Sequence, residues 1–368
     1  MARVVLAPAE PADDAGLRRL LADSPMDGRI RLAFEREPSY FHAVGVQGRF
    51  AQVVVGRDLD TGALVGVGTR TVKPVFVNGE PRDVGYLSDL RLLPSYRNRT
   101  LVARGYRLLR ELHADGRVDL YYTVIADDNA VALRTIASGR AGLPAYRDLG
   151  AFDSPAVNLV RRKPSLAAGV EIVRGEPALL DAIVACLNQH GRAKQFAPVY
   201  AREDFDPQGR LRGLGLDDVY VALDRGRVVG TIARWDQSAF KQTRVVGYRG
   251  ALRVVRPLCN LGARVAGLPR FPRPGERLAS FHAALIAVAG NDARIFAALL
   301  RRLYNDAVGG PHAYFVIGLH ERDPLRRVLA DYRCSPYRGR LFCVDFEDGA
   351  AACRALDDRV PHVEPATL

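Results

Sequence analysis

The tripeptide Arg97-Asn98-Arg99 stands directly before a helical stretch, a placement that suits anion binding. From Thr100 onward, Leu101, Gly105, Leu108, Leu109 and Leu112 recur at the spacing of one helix face. The first N–H groups of such a helix lack partners within it, and the dipole adds positive charge there. Two arginines beside those amides form a cradle for a pyrophosphate. Just upstream, Asp89 lies in a strand among Leu87, Leu90 and Leu92. Burial would push its carboxyl upward, toward the range of a general base, whereas an arginine neighbour would hold it as an ion pair. Tyr146, and Tyr121 or Tyr122, are candidate general acids; the alternative for each is a structural place in the core.

These residues need a frame, and the order of elements supplies one. Strands are expected at Arg3–Leu6, Gln52–Val55, Leu64–Val72, Arg82–Leu92 and Leu120–Ile125. Helices are expected at Asp13–Ala22, Thr100–His113 and Asn129–Ser138, with an irregular helical segment from Ser24 to Phe41. After the basic, proline-containing break Arg161–Ser165 the order recurs. Strands are expected at Glu171–Arg174, Val219–Leu223, Val228–Trp235, Ala279–Val288, Ala313–Leu319 and Leu341–Phe346. Helices are expected at Pro177–His190, Asp292–Ala307 and Asp323–Leu329. The repetition implies an internal duplication and a mixed α/β class.

The run Tyr86–Leu109, with its Pro94-Ser95-Tyr96-Arg97 turn, resembles the strand–loop–helix of the GNAT family of acetyl-CoA-dependent N-acetyltransferases. In that family an Arg/Gln-x-x-Gly-x-Gly/Ala loop binds the CoA pyrophosphate. Arg97 matches the leading arginine, while Thr100 and Val102 stand where the small residues are usual. Ala126–Ala130, containing Asn129, and Tyr146–Phe152 resemble two later elements of the same family, in the right order; Asn129 could equally be a plain helix cap. The resemblance spans roughly residues 1–160. It implies acetyl-CoA or another acyl-CoA as co-substrate, bound along Leu90, Leu92, Arg97, Asn98, Arg99, Thr100, Leu101, Val102 and Asn129. It also implies direct attack by an acceptor amine, which needs a base and an acid; Asp89 is the candidate base, and Tyr146, Tyr121 or Tyr122 are the candidate acids. Ile136 occupies the family's usual tyrosine position. Glu37, Tyr40 and Phe41 fall in the segment that walls the acceptor site.

The expected architecture is therefore two GNAT-like domains in tandem, each a mostly antiparallel sheet flanked by helices. Residues 1–163 form the acyl-CoA-binding copy, 168–348 a degenerate copy, and 349–368 a tail. The second copy lacks the arginine-led loop: Ile286–Arg294 enters its helix through Asn291 and Asp292, and Asp292 puts a negative charge where a pyrophosphate would sit. His282, His312 and His320 are not spaced as metal ligands, so no metal is expected.

Composition narrows the setting. The chain has 368 residues, 48% of them hydrophobic, and five cysteines without a C-x-x-C pair. That pattern speaks against a disulfide framework and for a reducing, cytoplasmic compartment. The net charge is +12, yet only four of the 53 basic residues are lysine. The excess is spread over both halves and gives no firm nucleic-acid signal. One stretch stands out: residues 244–277 carry eight arginines and one acid, Glu276, around an amphipathic run interrupted near Pro257. It could meet a membrane surface, an anionic substrate or a partner, or pack on the other domain. The leading expectation is an acyl-CoA-dependent N-acyltransferase acting on a small-molecule or peptide amine; a homodimer is open. A tandem-GNAT aminoacyl-tRNA-dependent transferase and a non-catalytic binding protein are the alternatives.

Overall fold

The computed structural model describes residues 3–26, 28–97, 99–136, 143–265 and 269–368. The chain opens with β1 (Val4–Pro8), α1 (Asp14–Ala22), β2 (Ile30–Glu35) and the short α2 (Tyr40–Val44). A meander of β3 (Phe50–Asp58), β4 (Leu64–Val77) and β5 (Glu80–Leu92) follows. Then come α3 (Arg99–His113), β6 (Tyr121–Ala126), α4 (Ala130–Ile136), β7 (Ala145–Asp153) and β8 (Ala156–Asn158). Between β4 and β5 the chain turns at Asn78-Gly79, both at positive φ (53° and 85°). Asn-Gly tolerates that left-handed pair, which matches the twist of a two-residue hairpin.

The second half runs through β9 (Glu171–Arg174), α5 (Leu180–Gly191), β10 (Lys194–Gln195), β11 (Val219–Asp224), β12 (Arg227–Trp235) and β13 (Gln242–Tyr248). It continues with α6 (Ala251–Val265), β14 (Ser280–Val288), α7 (Ala293–Ala307), β15 (Tyr314–Val316) and β16 (Leu319–His320). The last elements are β17 (Cys334–Ser335), β18 (Arg338–Asp345), α8 (Ala350–Arg354) and β19 (Val360–Pro361).

Two large sheets result, and each borrows from the other half. The first has the order β1-β3-β4-β5-β6-β18-β7-β16, so β18 is inserted between β6 and β7. The second, β17-β8-β15-β14-β12-β11-β9, takes β8 in return. Both loans cross the expected boundaries at 163 and 168. The expected strand Ala313–Leu319 is likewise divided: β15 pairs with β14, whereas Leu319 and His320 pair with Asp153 and Phe152 of β7. Local pattern located β18 and the 313–319 strand but neither β8 nor the partners, because pairing is decided by contacts far apart in sequence.

Three other expectations are corrected. The expected helical segment Ser24–Phe41 is, among the described residues, helical only at Tyr40 and Phe41, in α2: Ile30, Leu32 and Phe34 alternate with Arg31, Ala33 and Glu35, and β2 pairs antiparallel with β13 from the other half. The non-local ladder overrides the helical reading. Residues 349–368 are not a loose tail, since Val363 and Ala366 are fully buried between the sheets. Finally, α6 runs unbroken through Pro257.

The first sheet packs on both faces. On one, Tyr121, Phe342 and Val344 meet Leu109 of α3 and Leu133 of α4. On the other, Tyr86, Tyr122, Phe152 and Leu341 meet Phe196 and Val363 from the second half. A fully buried side chain such as Phe196 is worth about 2–3 kcal/mol, so this shared core holds the halves together.

Candidate active site

β5 and β6 are parallel neighbours that pair only through Gly85↔Tyr121 and Tyr86↔Tyr122. A methyl group on Gly85 would lie 2.0 Å from the Tyr121 ring, so this junction demands glycine. One residue further, the Thr123 hydroxyl donates to the Leu87 carbonyl at 2.8 Å. Beyond that bond the strands separate, and the remainder of β5 has no ladder to β6. A bulge in β5 assists the parting. The register against β4 shifts between Val67 and Thr69, and opposite the shift Asp89 adopts φ 54°. Bulges bend a strand and re-aim its side chains.

At the mouth of this gap, both parallel strands lead into helix N-termini. β5 turns through Pro94–Tyr96 into α3, and Arg97 is exposed, its Nε donating to the Leu92 carbonyl at 3.2 Å. Asn98 lies outside the described residues, as does the side chain of Arg99. Thr100 is exposed, Leu101 is buried against Val4 and Val65, and Val102 is half-buried. Leu90 is 40% exposed in the gap, whereas Leu92 leans onto Gly66. Asn129 caps α4, its side-chain oxygen accepting from the Ala132 N–H at 3.1 Å. The N-termini of α3 and α4 thus each follow the carboxyl end of one of these parallel strands, where β5 has left its ladder with β6, a place suited to an anionic, extended ligand.

Asp89 is held by an ion pair. The Arg36 Nη2 donates to its carboxylate at 2.6 Å and the Tyr40 hydroxyl at 3.0 Å; Tyr40 also bonds the Thr69 hydroxyl at 2.7 Å. Burial pushes the Asp89 carboxyl up, but Arg36, then Arg91 and the hydrogen bonds outweigh it, and the net shift is downward. The upward shift expected from burial alone is therefore reversed. Tyr40 moves well above its usual range through burial and then the Asp89 charge. The Arg36 Nη1 is buried and has no hydrogen-bond partner among the described residues.

The other candidates separate. Tyr122 points to the shared core, stacked on Tyr86 and Phe196, and burial pushes its hydroxyl well above the usual range. Tyr146 lies on the opposite, α3-facing side of the sheet. It bonds the Tyr106 hydroxyl at 2.5 Å, and β6 and β18 stand between its strand and β5. At about 5 Å per strand that is roughly 14 Å, too far to act with Asp89. Glu37 pairs with Arg18, and its backbone is clasped by the Gln242 side chain. Phe41 meets the Tyr40 ring edge-on at 5.9 Å.

The sequence reading missed a buried polar group contributed largely by the second half. Lys241 Nζ donates to the Ala366 carbonyl (3.1 Å) and to a main-chain oxygen of Leu368 (2.8 Å). Burial, then Arg36, lowers it to about 7, against the opposing pull of Asp89. Lys73 Nζ donates to the Thr367 hydroxyl at 3.0 Å and lies over the Tyr86 and Tyr122 rings; burial, then Arg210, lowers it to about 7. A signal for them existed: in a chain with four lysines among 53 basic residues, three (Lys73, Lys194 and Lys241) are buried or nearly so. Lysine, unlike arginine, can lose its proton when desolvated.

The second sheet repeats the geometry with a different outcome. β14 and β15 pair in parallel only from Ser280↔Tyr314 to His282↔Val316, and Leu285 has φ 53° at a register shift against β12. Here the gap is filled. Glu364 accepts from the Leu285 N–H at 2.9 Å and from Ala366 N–H at 3.3 Å, and burial pushes its carboxyl up to about 7. What remains is a cavity of about 20 Å³, lined in part by Leu187, His190, Leu285 and His362 and roomy enough for about one water. The N-terminus of α7 is closed by Asp292, which accepts from Arg294 N–H.

No family model matches the chain, and no curated protein does. Solved structures match it in fold. The GCN5-related glucosamine N-acetyltransferase region of a fungal multi-domain GH3 β-N-acetylglucosaminidase superposes with a TM-score of 0.62 at 14% identity, over 93% of this chain. This chain spans only 38% of that protein. The N-myristoyltransferase of Saccharomyces cerevisiae, with myristoyl-CoA bound, gives a TM-score of 0.61 at 10% identity, over 99% of this chain and 86% of that one. The chain has the GNAT fold. A GCN5-related N-acetyltransferase from Sphaerobacter thermophilus matches as well, with a TM-score of 0.52 at 13% identity, over 93% and 95% of the two chains. These superpositions extend across both sheets, and that coverage is consistent with two domains. The β5–β6 and β14–β15 pairs part in the same way, one beside an unpaired β5 edge and the other over Glu364.

Proposed function

We propose that this chain is an acyltransferase that moves an acetyl or longer acyl group from acyl-CoA to an amine, working at the β5–β6 cleft. The observation that carries the proposal is the open gap between β5 and β6, with two helix N-termini at its mouth and Arg97 beside one of them. The neighbours named for N-acetyl and N-myristoyl transfer support acyl transfer as the class of chemistry.

In this reading the pantetheine and acyl arm lie along the β5 edge at Leu90 and Leu92. The phosphates meet Arg97, Asn98, Arg99 and the first turn of α3 at Thr100, Leu101 and Val102; Asn129 flanks the other wall. Thr100 and Val102 narrow the approach that glycines would leave, and the Thr100 hydroxyl offsets this as a donor. Glu37 and Phe41 border the acceptor side. The amine attacks the thioester carbonyl, the C–S bond breaks, and the thiolate leaves with a proton to give an amide and free CoA. Asp89, kept ionised by Arg36, suits the holding of an incoming ammonium better than the removal of its proton. Lys241, in the field of the same pair and lowered to about 7, suits proton uptake.

The test is a thermal-shift titration of the full chain with acetyl-CoA, myristoyl-CoA and free CoA, followed by an assay for released thiol in the presence of amines. A rise in melting temperature with at least one acyl-CoA is expected, because a ligand selective for the native state stabilises it. No shift with any CoA species would overturn the proposal.

A further inference from the structure

α6 carries an exposed apolar stripe that a surface helix in water does not need. At 100° per residue, Val254, Leu258 and Leu261 fall within about 60° of one another. They are 77%, 71% and 64% exposed, and Val255 beside them is also exposed. The inward face is mixed: Leu252, Cys259 and the buried Ala263 lie there with Arg256 and Asn260. The Asn260 side chain clasps the backbone of Phe271 in both directions, at 2.7 and 3.0 Å, and Arg256 donates to the Pro272 carbonyl at 3.2 Å. The Tyr248 hydroxyl reaches that same carbonyl at 2.7 Å. The helix is thus fastened to the returning segment partly through polar groups, while Val254, Leu258 and Leu261 face outward. Water is the wrong solvent for that face.

The charge around it selects the occupant. Residues 244–277 carry eight arginines against Glu276 alone, and Arg253, Arg270, Arg273 and Arg277 are exposed around the helix and its return. Part of this charge is already used, since Arg270 pairs with Glu276 and Arg277 with Glu35. A second copy of the chain would bring two such basic rims together, which like-charge repulsion opposes. With 15 residues, α6 is about 22 Å long, too short to cross a bilayer but suited to lie in its surface. We infer that α6 is a docking surface for an anionic membrane, its Val254–Leu258–Leu261 stripe entering the headgroup–acyl boundary and its arginines meeting lipid phosphates. The segment grows from β13, whose partner β2 leads directly to Arg36 and Glu37, so docking would hold the β5–β6 side of the molecule near lipid.

Flotation of the full chain with vesicles tests this. Vesicles of phosphatidylcholine mixed with phosphatidylglycerol should capture it, and pure phosphatidylcholine should capture far less. Leu258→Glu with Leu261→Glu should abolish capture while leaving the melting temperature unchanged, because these side chains support nothing in the fold. Arg253→Ala should weaken capture about fivefold, since one arginine near an anionic surface contributes about 1 kcal/mol. Capture that is absent at low salt, or that survives the double glutamate variant, would overturn the inference. So would a concentration-dependent dimer in sedimentation that the double variant dissolves without any vesicle binding, which would assign the stripe to a second copy.

Discussion

The two halves carry the same device, a pair of parallel strands that begin together and part at a bulge, and they use it in opposite ways. In the first half Asp89 holds the positive-φ position and turns to Arg36 and Tyr40, leaving the gap beside it open. In the second half Leu285 holds that position, and the gap beside it is occupied by Glu364 and its neighbours. One copy keeps an opening where a ligand could add to the strand edge. The other has spent its opening on internal hydrogen bonds. On the proposed reading one gap is a site and the other a support, and residues 362–368 are the means: Glu364 fills the second gap, while Ala366, Thr367 and Leu368 give Lys73 and Lys241 partners in the first half's core.

The most damaging break in this comparison is predicted at Arg36. Arg36→Ala leaves Asp89 buried without its counter-charge and should cost about 3–5 kcal/mol of stability, measurable by urea unfolding. Adding Asp89→Ala should restore part of that loss. In the second copy Glu364→Ala strands the Leu285 N–H and opens space, and should cost less, about 1–3 kcal/mol. An equal or larger loss for Glu364 would mean that the filled copy, not the open one, holds the structural burden.

Opposite pH slopes should follow. Glu364 keeps its proton to about 7 when folded but releases it near 4.5 when unfolded. Between those values the folded state binds more protons, so its contribution to stability falls as pH rises, by about 3 kcal/mol over the window. Asp89 is shifted down, so its contribution is present above its unfolded value and is lost as pH falls through its folded one. Stability curves of Glu364→Gln and Asp89→Asn should each lack their own slope and keep the other; a Glu364→Gln curve with the wild-type fall intact would refute the assignment.

Ligand binding should distinguish the copies more gently. Arg97→Ala should weaken acyl-CoA binding about tenfold by calorimetry, as loss of a charge-assisted phosphate contact would. Arg294→Ala, at the matching helix entry of the second copy, should leave affinity unchanged. The smallest effect concerns the pH dependence of turnover. Lys241, lowered to about 7, becomes neutral as pH rises, so a rate that depends on it should climb through pH 7. Lys241→Arg, permanently charged, should lose that climb while still binding acyl-CoA; an unchanged profile would remove Lys241 from proton transfer.

Much of the frame was legible in advance. The helix from Thr100, the β3–β5 meander, the β11–β12 hairpin and α7 announce themselves through periodicity and turn residues, which depend only on near neighbours. The arginine-led loop before α3 was legible for the same reason. Asp89 was visible as a carboxylate in an apolar strand, yet its state was not, because Arg36 reaches it from 53 residues away. Tyr122 and Tyr146 looked equivalent in sequence; across β18, Tyr146 is level with Tyr121, one residue from Tyr122, and strand alternation puts the two on opposite faces.

By itself, then, the sequence determined most of the elements and their mixed α/β order, the helix entry after Arg97 and the basic character of 244–277. Each rests on composition or short-range spacing. Only the tertiary structure decided which strands cross between the sheets, which gap stays open, and what surrounds Asp89. Those outcomes depend on pairings such as β2 with β13, β18 between β6 and β7, and Glu364 at Leu285. No local propensity encodes them, because a buried polar group takes whichever partner the completed fold brings within hydrogen-bonding distance.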